Sequence, residues 1–428
     1  MAYKDLVEEA IRKVGGCGAY QWIICIIMHA SKIVLTFSTI TMAFAGHNPG
    51  FVCKSMFIER EEIDNTAFED VSAEGLCKID EAAECNSYYF YTSMSTVVSQ
   101  WGLVCSHKWI VALSTSLHMV GVLFGCLLSS YLADYIGPKR TFFSGQLTVI
   151  IFNFVGIYST YAELYILIRI IIGLGIGLSV TVQFALMIEY VPAKLVPVVS
   201  AVPSVSIGGC LFAPVVWWLH DWKMFHLFIT VAGLPSLLLF WCVPDSFRWQ
   251  MIKYKQATAA RTYRMIARVN RKEKPDVNDL LTEAVSELEN YKNGRNFVDL
   301  CKTRYSCGIT SGIFLAWFAV GYTYFGTIFG VGVLQGNLFL NLLLITVIDA
   351  PLVALTGPLA KWFERKKYGI CIMVVSGVCG IIVGVLQYTY FFEYRLITVL
   401  ALICKMTGTS VWIVLMMFTM EIYPSDIK

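Results

Sequence analysis

Charge is what this sequence has least of. Only 15% of its 428 residues are charged, against about 25% in an ordinary soluble chain. The formal net charge of +3 is too small to suggest a nucleic-acid partner. Catalytic spacing is missing as well. The six histidines (His29, His47, His107, His118, His220 and His226) match no nucleophile or metal pattern, so no enzyme, cofactor or metal is implied. The run Gly173-Leu-Gly175-Ile-Gly177 has no strand before it and lies in an apolar stretch, which excludes a nucleotide-binding loop. Small residues there, as at Gly121 and Gly125, allow helices to approach closely.

Apolar sequence is abundant instead. Hydrophobic residues make up 57% of the chain, and the mean hydropathy is +0.64. A soluble fold of this size could not give so much apolar surface its polar cover. A membrane helix needs about 20 mostly apolar residues. Ten such stretches occur, near 20–45, 109–133, 141–161, 164–188, 198–220, 224–243, 307–330, 337–360, 369–391 and 396–420. The first carries His29 and Lys32, and it begins too deep and is too polar for a cleavable signal peptide. It reads as a retained helix. Most of the fourteen cysteines lie within apolar runs (Cys25, Cys126, Cys210, Cys371), where they act as small hydrophobes.

Two polar segments interrupt the pattern. Segment 46–108 holds ten acidic residues and four basic ones, while 244–306 is rich in Arg and Lys. Short loops with excess Lys and Arg stay in the cytoplasm. The second segment, the N-terminus (1–19), the turn at Pro138-Lys139-Arg140 and the run Arg365-Lys366-Lys367 therefore fall on the cytoplasmic side, and 46–108 falls outside. The outer segment contains Cys53, Cys77, Cys85 and Cys105. Four cysteines in an oxidising compartment suggest two disulfides with three possible pairings; free thiols or zinc ligands are the alternative, though no CxxC pair is present. No Asn-x-Ser/Thr sequon occurs in this segment. In the cytoplasmic segment, 277–291 has the apolar spacing of an amphipathic helix, part of a helical linker at the membrane surface.

The chain also repeats itself. Glu189-Tyr-Val-Pro192 recurs as Glu421-Ile-Tyr-Pro424, an offset of 421 − 189 = 232. The loop Leu132-Ala-Asp134-Tyr-Ile-Gly137 recurs as Leu359-Ala-Lys361-Trp-Phe-Glu364, an offset of 359 − 132 = 227. Two landmarks with nearly equal offsets indicate a duplicated six-helix unit, a known transporter plan. The first unit spans 20–243, and the second, 307–428, reaches only the position equivalent to about Lys194. By this count two C-terminal helices are absent.

These residues resemble the major facilitator superfamily and, within it, the organic cation/anion transporter family of solute carriers. Ser99-Gln-Trp101-Gly-Leu-Val-Cys105 resembles the family's T-E-W-D-L-V-C. Asp134-x-x-Gly137-x-Lys139-Arg140 is similar to the superfamily's D-R-x-G-R-R loop. Asp221-Trp-Lys223 resembles D-W-R, Pro244-Asp245-Ser-Phe-Arg248-Trp249 resembles P-E-S-P-R-W, and Glu421-Ile-Tyr-Pro424 resembles E-L-Y-P. Departures are Tyr135, where a basic residue is usual, and Lys361, where an acid is usual. The family has twelve helices, of which this chain matches ten. The resemblance implies an all-α membrane fold of two parallel repeats around a central cavity. It assigns gating and structural roles to Asp134, Gly137, Lys139, Arg140, Arg169, Glu189, Arg248 and Glu421. Arg169 is expected near a cytoplasm-to-core relay, and Asp134 near the inner gate.

Ionisable residues at membrane depth are costly and usually face a cavity or a partner. Lys32, Arg169, Asp349 and Lys405 qualify, with a gating or structural role for Arg169 and interhelical pairing or snorkelling as the structural alternatives for the others. Asp349, in Ile348-Asp349-Ala-Pro351, resembles the family's D/E-x-P. Helix seven adds Trp317, Tyr322, Tyr324 and Phe325, aromatic walls that suit flat organic ions. Trp217 and Trp218 read as interfacial anchors. The expected substrate-binding set is Tyr322, Tyr324, Phe325, Asp349, Lys405 and Lys32. The resulting expectation is a plasma-membrane transporter of small organic cations, anions or zwitterions, working by alternating access. It needs no cofactor and leaves room for a coupling ion, and its oligomeric state is open. The alternative is a truncated, non-transporting membrane protein with a regulatory or receptor-like role.

Overall fold

The computed structural model describes residues 9–53, 88–90, 94–192, 195–253, 256–272, 282–283, 303–330, 338–389 and 394–422. Its long elements are helices because hydrocarbon offers no partner to backbone N–H and C=O groups, and a helix satisfies them internally. In chain order they are α1 (Ala19–Ala45), α2 (Trp109–Ile136), α3 (Pro138–Gly156), α4 (Ala162–Glu189), α5 (Ser204–Leu219), α6 (Trp222–Leu238), α7 (Arg304–Phe329), α8 (Leu338–Trp362), α9 (Arg365–Thr389) and α10 (Tyr394–Ile422). Among the described residues, nine helices are long and apolar enough to cross a membrane. The remaining expected span, α3, carries Lys139, Arg140, Gln146 and Asn153. It conceals its two amides, both 0% exposed, against the other helices of its half.

Helices α2 and α4 make the tightest contact, and glycine is the cause. A Cβ at Gly173 would collide with the His118 carbonyl, one at Gly121 with that of Ile170, one at Gly125 with that of Leu174, and one at Gly177 with that of Val122. The expected close approach at these glycines is what the structure shows. In the fifth segment the helix is interrupted. A short turn at Val196–Ser200 precedes α5, and residues 201–203 between them are not helical.

The two repeated turns share an unusual backbone. Gly137, between α2 and α3, has φ 101°, and Glu364, between α8 and α9, has φ 61°. They are 227 residues apart, the offset of the sequence repeat. The chain thus takes a positive φ at both turns, once at the residue that allows it freely and once at a residue for which it carries some cost.

At one end of the first half, Ala10, Ile11 and Val14 share a buried cluster with Ala259, Tyr263 and Ile266 of the helix Gln256–Val269. Asn270 closes the junction. Its amide nitrogen donates to the Val14 carbonyl and to Gln21 Oε1 (both 3.0 Å), and its Oδ1 accepts from the Tyr20 backbone. The N-terminal segment and the central segment therefore lie on the same side of the bundle. The amphipathic stretch expected at 277–291 lies almost wholly outside the described residues.

The opposite end carries a two-stranded antiparallel ribbon, β1 (Phe51–Cys53) with β2 (Tyr88–Phe90). Ser95 is tied to the start of α6, donating to the His220 carbonyl (2.9 Å) and accepting from the Trp222 backbone (3.2 Å). Cys105 is disulfide-bonded. Of the other outer cysteines expected to pair, Cys77 and Cys85 lie outside the described residues, as does the side chain of Cys53. Trp217 and Trp218 are 60% and 77% exposed at the end of α5, where interfacial anchors were expected.

Candidate functional site

The two opposite charges singled out in the second half meet. Lys405 on α10 lies 3.6 Å from Asp349 on α8, and each residue is 3% exposed. Both sit near the middle of their helices. Lys405 Nζ also donates to Thr409 Oγ1 (2.8 Å) and lies 3.8 Å from the centroid of the Tyr324 ring. The ammonium thus has a carboxylate, a hydroxyl and an aromatic face, the partners that make a buried cation tolerable.

Asp349 reaches across to the first half. Its Oδ2 accepts from Ser206 Oγ of α5 at 2.9 Å, while its Oδ1 is buried without a hydrogen-bond partner. Neighbouring residues knit the same pair of helices, since Cys210 Sγ donates to Thr346 Oγ1 (3.4 Å). The site therefore lies where α5 of the first half meets α8 of the second.

Aromatic residues wall it on one side. Tyr324 packs against Phe325 (5.2 Å between centroids) and Trp412 (5.3 Å), and Trp412 stands edge-on to Trp317 (5.1 Å). Tyr322 is not part of this wall. It is two residues from Tyr324 on a helix, turned to another face, and is 78% exposed. Ser206, Thr409 and Trp412 were not foreseen. A signal for the last two was present, because Lys405, Thr409 and Trp412 follow the i, i+4, i+7 spacing of one helix face.

Lys32 is the central residue of α1. Each residue turns about 100° around a helix, so Lys32 faces roughly away from exposed Ala30, two positions earlier. Its stretch of α1 adjoins α5: a Cβ at Gly208 would lie 3.1 Å from Thr36 and 3.5 Å from the Ile33 carbonyl. Lys32 is partly exposed, and no described carboxylate pairs with it.

Arg169 belongs to a second polar cluster, wholly inside the first half. It is 0% exposed, and its Nη1 donates to the Ser38 carbonyl (3.1 Å). Asn153 donates to Ser38 Oγ (3.0 Å), His226 Nδ1 is 2.8 Å from Asn153 Oδ1, and His226 Nε2 is 3.1 Å from the Tyr165 hydroxyl. Arg169 lies near the start of α4, the far end from Glu189. Its hydrogen-bond partners are the Ser38 carbonyl on α1 and His118 on α2, whose Nδ1 lies 3.0 Å from the Arg169 carbonyl. Arg169 therefore sits inside the first half, away from the Asp134 loop.

Several of the remaining motif residues make contacts at the end that also carries the central segment. Trp249 donates from Nε1 to the Asp134 carbonyl (3.1 Å), and its ring lies 3.3 Å from where a Gly137 Cβ would be. Lys139 Nζ sits 4.2 Å from the centre of the Phe240 ring. The Tyr190 hydroxyl, next to Glu189, donates to the Asp245 carbonyl (2.8 Å). Asp134 and Arg140 are exposed. Arg248 and Glu421 lie in helices, but their side chains are outside the described residues. At the other end, Trp101 packs against Tyr165 and Trp222 (both 5.5 Å), so the Trp101 and Asp221-Trp222 motifs are structural. Asp221 caps α6, accepting from the Lys223 backbone (3.0 Å).

Ten long helices, with an opposite-charge pair between α8 and α10 that reaches α5 of the first half through Ser206, share their fold with solved transporters of the major facilitator type. The structure of the proton:xylose symporter XylE bound to 6-bromo-6-deoxy-D-glucose matches with a TM-score of 0.66 and 18% identity, covering 96% of this chain and 83% of that one. A partially occluded inward-open form of XylE from E. coli gives 0.60 and 16%, covering 92% and 86%. The profile of the sugar (and other) transporter family matches residues 24–428, and the chain belongs to that family. Among its relatives, solute carrier family 22 member 4 of Mus musculus is 29% identical, covering 78% of this chain and 61% of its own length. Organic cation/carnitine transporter 2 of Homo sapiens is 26% identical, covering 78% and 60%. The organic cation transporter protein of Drosophila melanogaster is 25% identical over all of this chain and 83% of its own length. The chain thus spans about three-fifths of the length of the two mammalian relatives.

Proposed function

We propose that this protein carries small organic ions across the plasma membrane by alternating access, with the substrate held at mid-depth between the two halves. The observation that carries this reading is the buried Asp349–Lys405 pair, walled by Tyr324 and joined to the first half through Ser206. Charged residues at this depth are costly, and they are kept where they serve a pathway or hold the elements that move. The names of the relatives, organic cation and carnitine transporters, support the substrate class. In this reading 46–108 is extracellular, and the N-terminus and 244–306 are cytoplasmic.

The test is uptake by cells expressing the full-length protein, screened with labelled organic cations, anions and zwitterions at measured surface density. Saturable uptake that Asp349→Asn abolishes supports the proposal. No uptake of any class above control cells would overturn it and favour a receptor-like role.

A further inference from the structure

We infer that the ion carried is an organic anion and that Lys32 is the cation that meets it. This inference rests on the transport reading above. A site for an organic cation needs a carboxylate or an open aromatic face. Asp349 is the only carboxylate near the middle of a spanning helix among the described residues. It is already engaged by Lys405 at 3.6 Å and by Ser206 at 2.9 Å. The face of Tyr324 is engaged too, by the same ammonium at 3.8 Å. Asp349 and the Tyr324 face therefore both hold the protein's own lysine.

The positive charges are not balanced in the same way. Away from the ends of the spanning helices, Lys32, Arg169 and Lys405 stand against Asp349 alone among the described residues. Arg169 is walled into the first half at 0% exposure, out of reach of a solute. Lys32 differs: it is partly exposed, lies at the centre of α1 and has no described acidic partner. Its segment of α1 packs on Gly208, two residues along α5 from the Ser206 that holds Asp349. An unpaired ammonium at this depth is unfavourable. A carboxylate or sulfonate arriving beside Lys32 supplies the missing countercharge, and the Tyr324–Trp412 wall supplies a surface for its apolar part.

The experiment uses two matched series with permanent charge. One comprises alkane- and arenesulfonates, including toluenesulfonate; the other comprises quaternary ammonium ions, including benzyltrimethylammonium. Neither crosses a bilayer as a neutral acid or base. Uptake is measured for the full-length protein, and thermal stabilisation by each ion is measured on purified protein. The expected result is saturable sulfonate uptake and sulfonate stabilisation. Both should fall at least tenfold in Lys32→Gln and be retained in Lys32→Arg. Lys32→Gln should fold at least as well as wild type, since it removes an unpaired charge. Uptake of the ammonium series alone would overturn the inference and leave the transport reading standing. Sulfonate uptake unaltered by Lys32→Gln would remove Lys32 from the site. Transport of neither series, nor of any ion in the wider screen, would overturn both readings.

Discussion

The Asp349–Lys405 pair gives the sharpest quantitative test. Asp349→Asn leaves an ammonium in the interior without its countercharge; Lys405→Met leaves a carboxylate there that retains only Ser206. Breaking a buried pair by removing one partner typically costs about 3–5 kcal/mol. Lys405 would keep the Thr409 bond and the Tyr324 ring, and a desolvated cation–π contact is worth up to about 2 kcal/mol. Asp349→Asn should therefore fall near the lower end, about 3 kcal/mol. Lys405→Met strands a carboxylate whose Oδ1 already lacks a hydrogen bond, so it should cost about 4–5 kcal/mol. The double variant removes both charges and should cost less than the sum of the two, by about 2 kcal/mol or more. The measurement is a double-mutant cycle in reversible detergent–SDS unfolding of purified protein. Additivity within about 0.5 kcal/mol, the behaviour of independent sites, would show that the two charges do not stabilise one another.

Three further outcomes follow from other parts of the structure. Gly173→Leu drives a side chain into the His118 carbonyl; it should separate α2 from α4 and lower the melting temperature strongly, whereas Gly312→Ala, with open space around it, should not, and equal melting of both variants would contradict this. Cys105→Ser should destabilise the outer region by about 2–5 kcal/mol and reduce surface delivery; mapping of non-reduced peptides should find Cys105 joined to Cys53, Cys77 or Cys85. An epitope inserted near Ala67 should be reached by antibody on intact cells, and labelling only after permeabilisation would reverse the proposed topology.

The helical architecture was legible because lipid imposes a length and composition that few other constraints can mimic. The weakest case by composition, α3, shows the limit. Gln146 and Asn153 lower its apolar character, yet they are polar because they face Ser31 and Ser38 of α1. Asp349 and Lys405 could each be singled out, since a charge in an apolar run stands out. Their meeting could not be read, because no local rule fixes how two helices 56 residues apart are aligned. Tyr322 and Tyr324 look alike in sequence, and only the rotation of α7 decides that one is buried and the other 78% exposed. Arg169 could be singled out as Asp349 was, but its partners, the Ser38 carbonyl of α1 and His118 of α2, depend on how three helices are aligned. Trp249 illustrates a contact between two recognised motifs that neither motif announces by itself.

The glycine seam between α2 and α4 has a mechanical consequence. Along Gly121, Gly125, Gly173 and Gly177 the two backbones touch directly, with no side chains between them to change rotamer. Such a joint has no lubricant layer. Sliding would drive Cα atoms over carbonyl ridges, so α2 and α4 behave as one stiff beam. Any rocking of the first half must carry both helices together. Outside this seam the helical backbone is interrupted at residues 201–203, just before α5. They lie three residues from the Ser206–Asp349 bridge, which places the break in the helix beside the charged pair.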